Sequence, residues 1–160
     1  MEHRLAPLDD VFVWLTRLGS HGAIWFAIAL VVALVRRDAR TFVLVAIAVL
    51  AADGLAGLVK VAVHEHRPRG TQPLVAVPHS GSFPSGHTAT AFAAATVLTA
   101  LVPRAAPAWF ALAAAVAYSR LYVGVHFPLD VAGGIAVGVV TALLLLAAVR
   151  RRSPLSRRRG

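Results

Sequence analysis

The 160-residue chain contains no cysteine, so neither a disulfide nor a thiolate metal site is available to it, and cysteine usage gives no redox compartment. Charge is scarce as well: Asp, Glu, Lys and Arg make up 14% of the residues, against roughly a quarter in soluble domains. Acidic residues are the scarcest, seven against 16 Lys and Arg, which leaves a formal net charge of +9. Hydrophobic residues fill the gap at 58%, above the roughly 45–50% usual for soluble chains, and mean hydropathy is +0.72. These shortages argue against an ordinary soluble domain and for a single integral membrane domain.

A basic balance alone would suit nucleic acid, but its placement points elsewhere. Most arginines cluster at the ends of apolar runs: Arg36, Arg37 and Arg40, then Arg150, Arg151, Arg152, Arg157, Arg158 and Arg159. Such clusters orient membrane helices, and no nucleic-acid module accompanies them. Asp9 and Asp10 interrupt the N-terminal region, and no small-residue cleavage pattern follows a basic start, which argues against a cleavable signal.

Spanning the hydrocarbon core takes roughly 20 mostly apolar residues. Five candidate spans emerge, at residues 20–36, 41–63, 86–102, 107–122 and 128–149, predicting an all-α helical bundle. Residues 8–18 are apolar but too short and carry Asp9, Asp10 and Arg17, which suits an amphipathic helix lying in the interface or an extension of the first span. One long polar connection runs from His64 to Pro84; the others are short, as antiparallel neighbours require. Residues 1–152 read as one domain and 153–160 as a basic tail. Placing the arginine clusters and Arg104 in the cytoplasm puts the 64–84 loop and the 123–127 turn outside. Trp25, Tyr118 and Tyr122 then fall near outer span ends and Trp109 near an inner one.

Three stretches converge on that outer face: KVAVHEHRP (60–68), PSGH (84–87) and SRLYVGVHFPLD (119–130). Lys60, Arg67 and Arg120 repel one another unless an anion binds among them, and a phosphoryl group matches arginine forks and a lysine charge. Gly86 at a helix start offers free backbone N–H groups and close approach, Ser85 a hydroxyl, and Pro84 a stiff corner. Asp130 follows His126 by four residues, with Pro128 suited to start a helix between them, so the carboxylate can orient the imidazole for nucleophilic attack. His87 supplies a second imidazole, able to protonate a leaving group and then activate water.

With these residues in view, the chain resembles the type 2 phosphatidic acid phosphatase (PAP2) family, whose signature K-x6-R-P, P-S-G-H and S-R-x5-H-x3-D is matched at every position. The resemblance implies a metal-independent, cofactor-free lipid phosphatase acting through a phosphohistidine. On it His126 is the nucleophile, Asp130 its orienting partner and His87 the acid and base. Lys60, Arg67, Ser85, Gly86 and Arg120 form the phosphate cradle. Substrates implied are polyprenyl diphosphates or polyprenyl-linked sugar phosphates first, then phosphatidylglycerol phosphate or phosphatidic acid. The cytoplasmic membrane is the expected location, with the site on its outer side, and vanadate is an expected inhibitor. Transfer to another lipid instead of water, and a non-catalytic lipid-phosphate binder or transporter, stay open at this level. Intact His87, His126 and Asp130 argue against the binder, since binding needs no oriented nucleophile. Oligomeric state is not readable.

Other features have plainer readings. His64, Glu65 and His66 tempt a metal reading but lie at variable positions within the first motif, and His79 reads as a solvated loop residue. Asp53 lies mid-span, seven residues before Lys60 and on nearly the same stripe, and suggests a structural partner for a polar or basic group in the bundle, or a tuner of Lys60 or the cavity. Gly54 and Gly57, and Gly133, Gly134 and Gly138, read as sites of close helix packing.

Overall fold

The fold was described from a computed structural model that covers residues 6–68 and 72–152. The basic tail at 153–160, like Arg4 and Arg69, lies outside these described residues. Six α-helices and no strand occur among them: α1 (Ala6–Leu18), α2 (Ala23–Arg36), α3 (Ala39–Val63), α4 (Gly86–Leu101), α5 (Ala106–Tyr122) and α6 (Pro128–Arg152). Short 3₁₀ turns at Ser20–Gly22 and Pro103–Ala105 join α1 to α2 and α4 to α5.

Local chemistry sets the boundaries. Asp38 caps α3 by accepting from the Arg40 backbone N–H at 3.0 Å and from the Thr41 hydroxyl at 3.1 Å. α2 and α3 each end on a left-handed residue, Arg37 and His64, both at φ 53°. Pro128 opens α6, where its missing N–H would have no helical partner anyway.

α4 is the axis of the bundle: nine of its 16 residues are buried, mainly alanines, against α3, α5 and α6. Small residues let those backbones approach. A Cβ on Gly134 would sit 2.6 Å from the Ser85 carbonyl oxygen, and one on Gly138 would collide with that of Ala89. Gly133 makes room instead for the Phe83 ring. The packing expectation fails at Gly54 and Gly57, where a Cβ meets nothing within 4 Å, because both sit on the open face of α3. Trp25 lies in the first turn of α2, at the expected end of its span, but faces inward: it is fully buried in the core cluster that also holds Val49 and Ala52.

α3 and α6 are long and apolar enough to cross a membrane, each with a mean hydropathy of 2.4 over its best window. α1 and α2 meet that test only together, as a pair bent by 68°. The helices α2, α4 and α5, at 14, 16 and 17 residues, stop short of the roughly 20 expected for an independent span. α1 packs on α5, where Phe12 lies against Tyr118 and Tyr122, Asp9 accepts from the Tyr122 hydroxyl at 2.8 Å, and Thr16 meets Ser119 at 2.8 Å.

Candidate active site

At the end of the bundle where α3 finishes and α4 and α6 begin, a cavity of about 330 Å³ is lined by Lys60, Arg67, Gly86, His87, Arg120 and His126. Ser20, Asp53, Ser80 and Thr90 complete its polar lining. Six of the eight candidate site residues therefore share one cavity, while Ser85 and Asp130, both fully buried, stand behind it.

His126 and Asp130 lie where the first turn of α6 folds back on the preceding turn. Asp130 Oδ2 accepts from His126 Nδ1 at 3.1 Å, from the Phe127 backbone N–H at 2.8 Å and from the Ser82 hydroxyl. On the other side of the ring, Arg67 Nη1 lies 3.3 Å from His126 Nε2. A guanidinium can only donate, so Nε2 must carry the lone pair and Nδ1 the proton that Asp130 receives. That tautomer leaves Nε2 as a nucleophilic atom facing the cations. Burial, followed by the charges of Arg67, Arg120 and Lys60, pushes the His126 imidazole well below its ordinary pKa, against the pull of its Ser82 hydrogen bond. The ring is neutral, as its hydrogen bonds already require.

The cations are held in different ways. Lys60 spends its ammonium on three loop carbonyls, those of Gly81 at 3.0 Å, Ser82 at 3.1 Å and Pro84 at 2.6 Å, and so fixes the corner before α4. Arg67 donates to the carbonyls of Ser80 at 3.1 Å and Val125 at 2.9 Å, joining the loop to the turn that carries His126. Burial holds its guanidinium somewhat below the usual range, with Asp130 opposing. Arg120 is 3% exposed, and its Nε has no partner among the described residues. A buried guanidinium with an unused donor is costly without an anion to receive it.

Ser85 is the N-cap of α4: its oxygen accepts from the Thr88 hydroxyl at 3.0 Å and more loosely from the Thr88 N–H at 3.4 Å. Its own N–H donates to the Asp130 carbonyl at 2.9 Å, so α4 and α6 are pinned at their starts. Gly86 and His87 then face the cavity on the first turn of α4, where free N–H groups and the helix dipole favour an anion. His87 Nε2 lies 3.3 Å from the Ser20 hydroxyl. His64, Glu65, His66 and His79 line an outer vestibule of about 410 Å³ that shares Lys60 and Arg67 with the inner cavity.

Sequence reasoning missed Ser82 and Ser20. Ser82 is fully buried and bonds to a carboxylate 48 positions away, a pairing that no local spacing announces. Ser20 looked like the start of a span, whereas it belongs to a 3₁₀ turn folded over the mouth of α4.

The sequence model of the PAP2 superfamily matches residues 41–154. The chain is similar to a bacitracin transport permease protein, BcrC, of Bacillus licheniformis, at 33% identity over 80% of this chain and 66% of that protein. It is also similar to the decaprenylphosphoryl-5-phosphoribose phosphatase of Mycobacterium tuberculosis, at 33% identity over 82% of this chain and 75% of the relative. The chain thus spans about two thirds to three quarters of the length of these relatives. Among solved structures it resembles a transmembrane PAP2-type phosphatidylglycerolphosphate phosphatase from Bacillus subtilis, with a TM-score of 0.77 and 25% identity over 94% of this chain and 81% of that one.

Proposed function

The chain belongs to the PAP2 superfamily, and from that premise we propose that it is a membrane lipid phosphatase that releases phosphate from a lipid phosphate or diphosphate through a phosphohistidine on His126. The observation that carries this reading is the fixed tautomer of His126, with Nδ1 held by Asp130 and Nε2 turned toward Arg67 in a cation-lined cavity. Binding alone needs the cations but not an oriented lone pair.

In the first step Nε2 attacks phosphorus, the bond from phosphorus to the leaving oxygen breaks, and His87 gives that oxygen its proton. In the second, His87 takes a proton from water, the resulting hydroxide displaces Nε2, and phosphate leaves. Arg67, Arg120 and the N–H groups at the start of α4 meet the charge that grows on the transferring oxygens. Lys60 adds its positive charge and holds the loop that presents them. Ser85 acts through the cap that aims the Gly86 and His87 backbone. Asp130 holds the ring and stabilises the positive charge it acquires.

Polyprenyl diphosphates and polyprenyl-linked sugar phosphates are the favoured substrates, in keeping with the decaprenyl-linked substrate in the name of the mycobacterial relative; phosphatidylglycerol phosphate and phosphatidic acid come next. The bundle crosses the cytoplasmic membrane five times, counting the short α2, α4 and α5 as spans and α1 as interfacial. The cavity opens on the outer side, opposite Arg36, Arg104 and Arg150.

Phosphate release by detergent-purified protein over this lipid panel, with and without EDTA, tests the reading. Activity that survives EDTA, is blocked by vanadate and disappears in His126→Ala is the expected result, each tenfold loss corresponding to about 1.4 kcal/mol of transition-state stabilisation. Near-normal turnover by His126→Ala would remove the covalent route.

A further inference from the structure

Within the cavity Arg67 meets His126, whereas Asp53, Ser20 and Thr90 gather about the first turn of α4, which carries Gly86 and His87. Asp53 is deeper on α3 than Lys60 by seven residues, about 10 Å along the helix axis. Its Oδ1 lies 3.5 Å from where a Cβ on Gly86 would stand, which puts the carboxylate at the first turn of α4. It is exposed and lines the cavity, and its charge acts on Lys60 from a distance. Ser20 and Thr90 line the same cavity, with Ser20 against His87 and Thr90 close to Gly22 in the Ser20 turn.

An acceptor carboxylate placed inside an anion site works against every oxygen that brings negative charge near it and rewards every hydroxyl that can donate to it. His87, the acid in the proposed reaction, follows Gly86 on the turn that Asp53 approaches, so the group that departs with its proton is the group that meets Asp53. We propose that Asp53, with Ser20 and Thr90, forms the leaving-group subsite, and that it selects substrates whose phosphate departs from a neutral hydroxyl-bearing group, such as a sugar or glycerol, over those whose phosphate departs from a second phosphate. This rests on the lipid phosphatase reading above and narrows its substrate class. For a polyol ester, the bond from phosphorus to oxygen breaks, the His87 proton makes the oxygen a hydroxyl, and Asp53 accepts from a neighbouring hydroxyl of the same group. For a diphosphate, the departing phosphate carries its charge toward Asp53.

The test compares farnesyl diphosphate with a short-chain polyprenylphosphoryl-5-phosphoribose, using purified wild type, Asp53→Asn and Asp53→Ala. The wild type should favour the sugar phosphate. Asp53→Asn, which keeps the shape and removes the charge, should move the ratio of kcat/KM values at least tenfold toward the diphosphate. Asp53→Ala should also lose turnover on the sugar phosphate, chiefly through a higher KM. Inhibition should follow the same rule, with inorganic pyrophosphate gaining more than inorganic phosphate in Asp53→Asn. Equal changes on both substrates, or an unmoved ratio, would overturn the selectivity while leaving the phosphatase reading intact. A wild type that releases phosphate from neither substrate, or a His126→Ala that still does, would bring down both.

Discussion

Which protonation state of His126 the protein chooses follows from two contacts on opposite sides of one ring. A donor-only guanidinium at Nε2 and a carboxylate at Nδ1 are compatible only with the neutral Nδ1–H tautomer. A depressed pKa means that this form persists as pH falls, since protonation would occur only well below the ordinary value. Because kcat/KM reports the groups of the free enzyme, its profile from about pH 7.5 to about 5.5, corrected for ionisation of the substrate, should show no acid-side loss centred near about 6.5. An inflection there that moves to higher pH on replacing Arg67 with Gln would instead mean an imidazolium in the free enzyme. The motif residues themselves were legible in the sequence because their spacing is local: His126 and Asp130 are one helical turn apart, and PSGH opens a helix. Ser82 was not, because a serine declares nothing about a carboxylate 48 residues later.

At the scale of helices, glycines of the same apparent type separate into two groups. Gly138 lies against the α4 backbone and Gly57 faces open space. Replacing Gly138 with Ala should therefore destabilise the detergent-solubilised protein by about 1–3 kcal/mol through overpacking. Gly57→Ala should leave it unchanged or raise its stability by about 0.5–1 kcal/mol through helix propensity. Thermal unfolding of the two variants side by side checks both signs; a stable Gly138→Ala would mean that α6 can retreat from α4 at little cost. Hydropathy told the sequence reader where helices lie, and four of the five expected spans begin within two residues of an observed helix. It could not tell which face of α3 meets its neighbours, because that helix is apolar nearly all round and its pattern carries no preferred side. Nor did the place of Trp25 near the end of α2 say that its ring turns into the core.

For the molecule as a whole, orientation in the membrane rests on charge, and the absence of native cysteine makes it directly measurable. Val77, exposed in the 64–85 loop, and Arg104, exposed between α4 and α5, belong to opposite ends of the bundle. A single cysteine at Val77 should react with a membrane-impermeant maleimide in intact cells, and one at Arg104 only after permeabilisation. The reverse pattern would place the cavity in the cytoplasm and rule out substrates delivered on the outer leaflet.

The meeting of three donors on Asp130 Oδ2 also bears on how such a chain matures. Ser82 comes from the long loop, while Phe127 and His126 come from the turn before α6. Those segments are separated by two whole helices, α4 and α5, so the Ser82 contact on Asp130 exists only when both helices stand between them in the bundle, whereas the His126–Asp130 pair is local. A chain cut short of its full bundle can thus pair His126 with Asp130 but lacks the clamp that the loop serine adds from the far side of two helices.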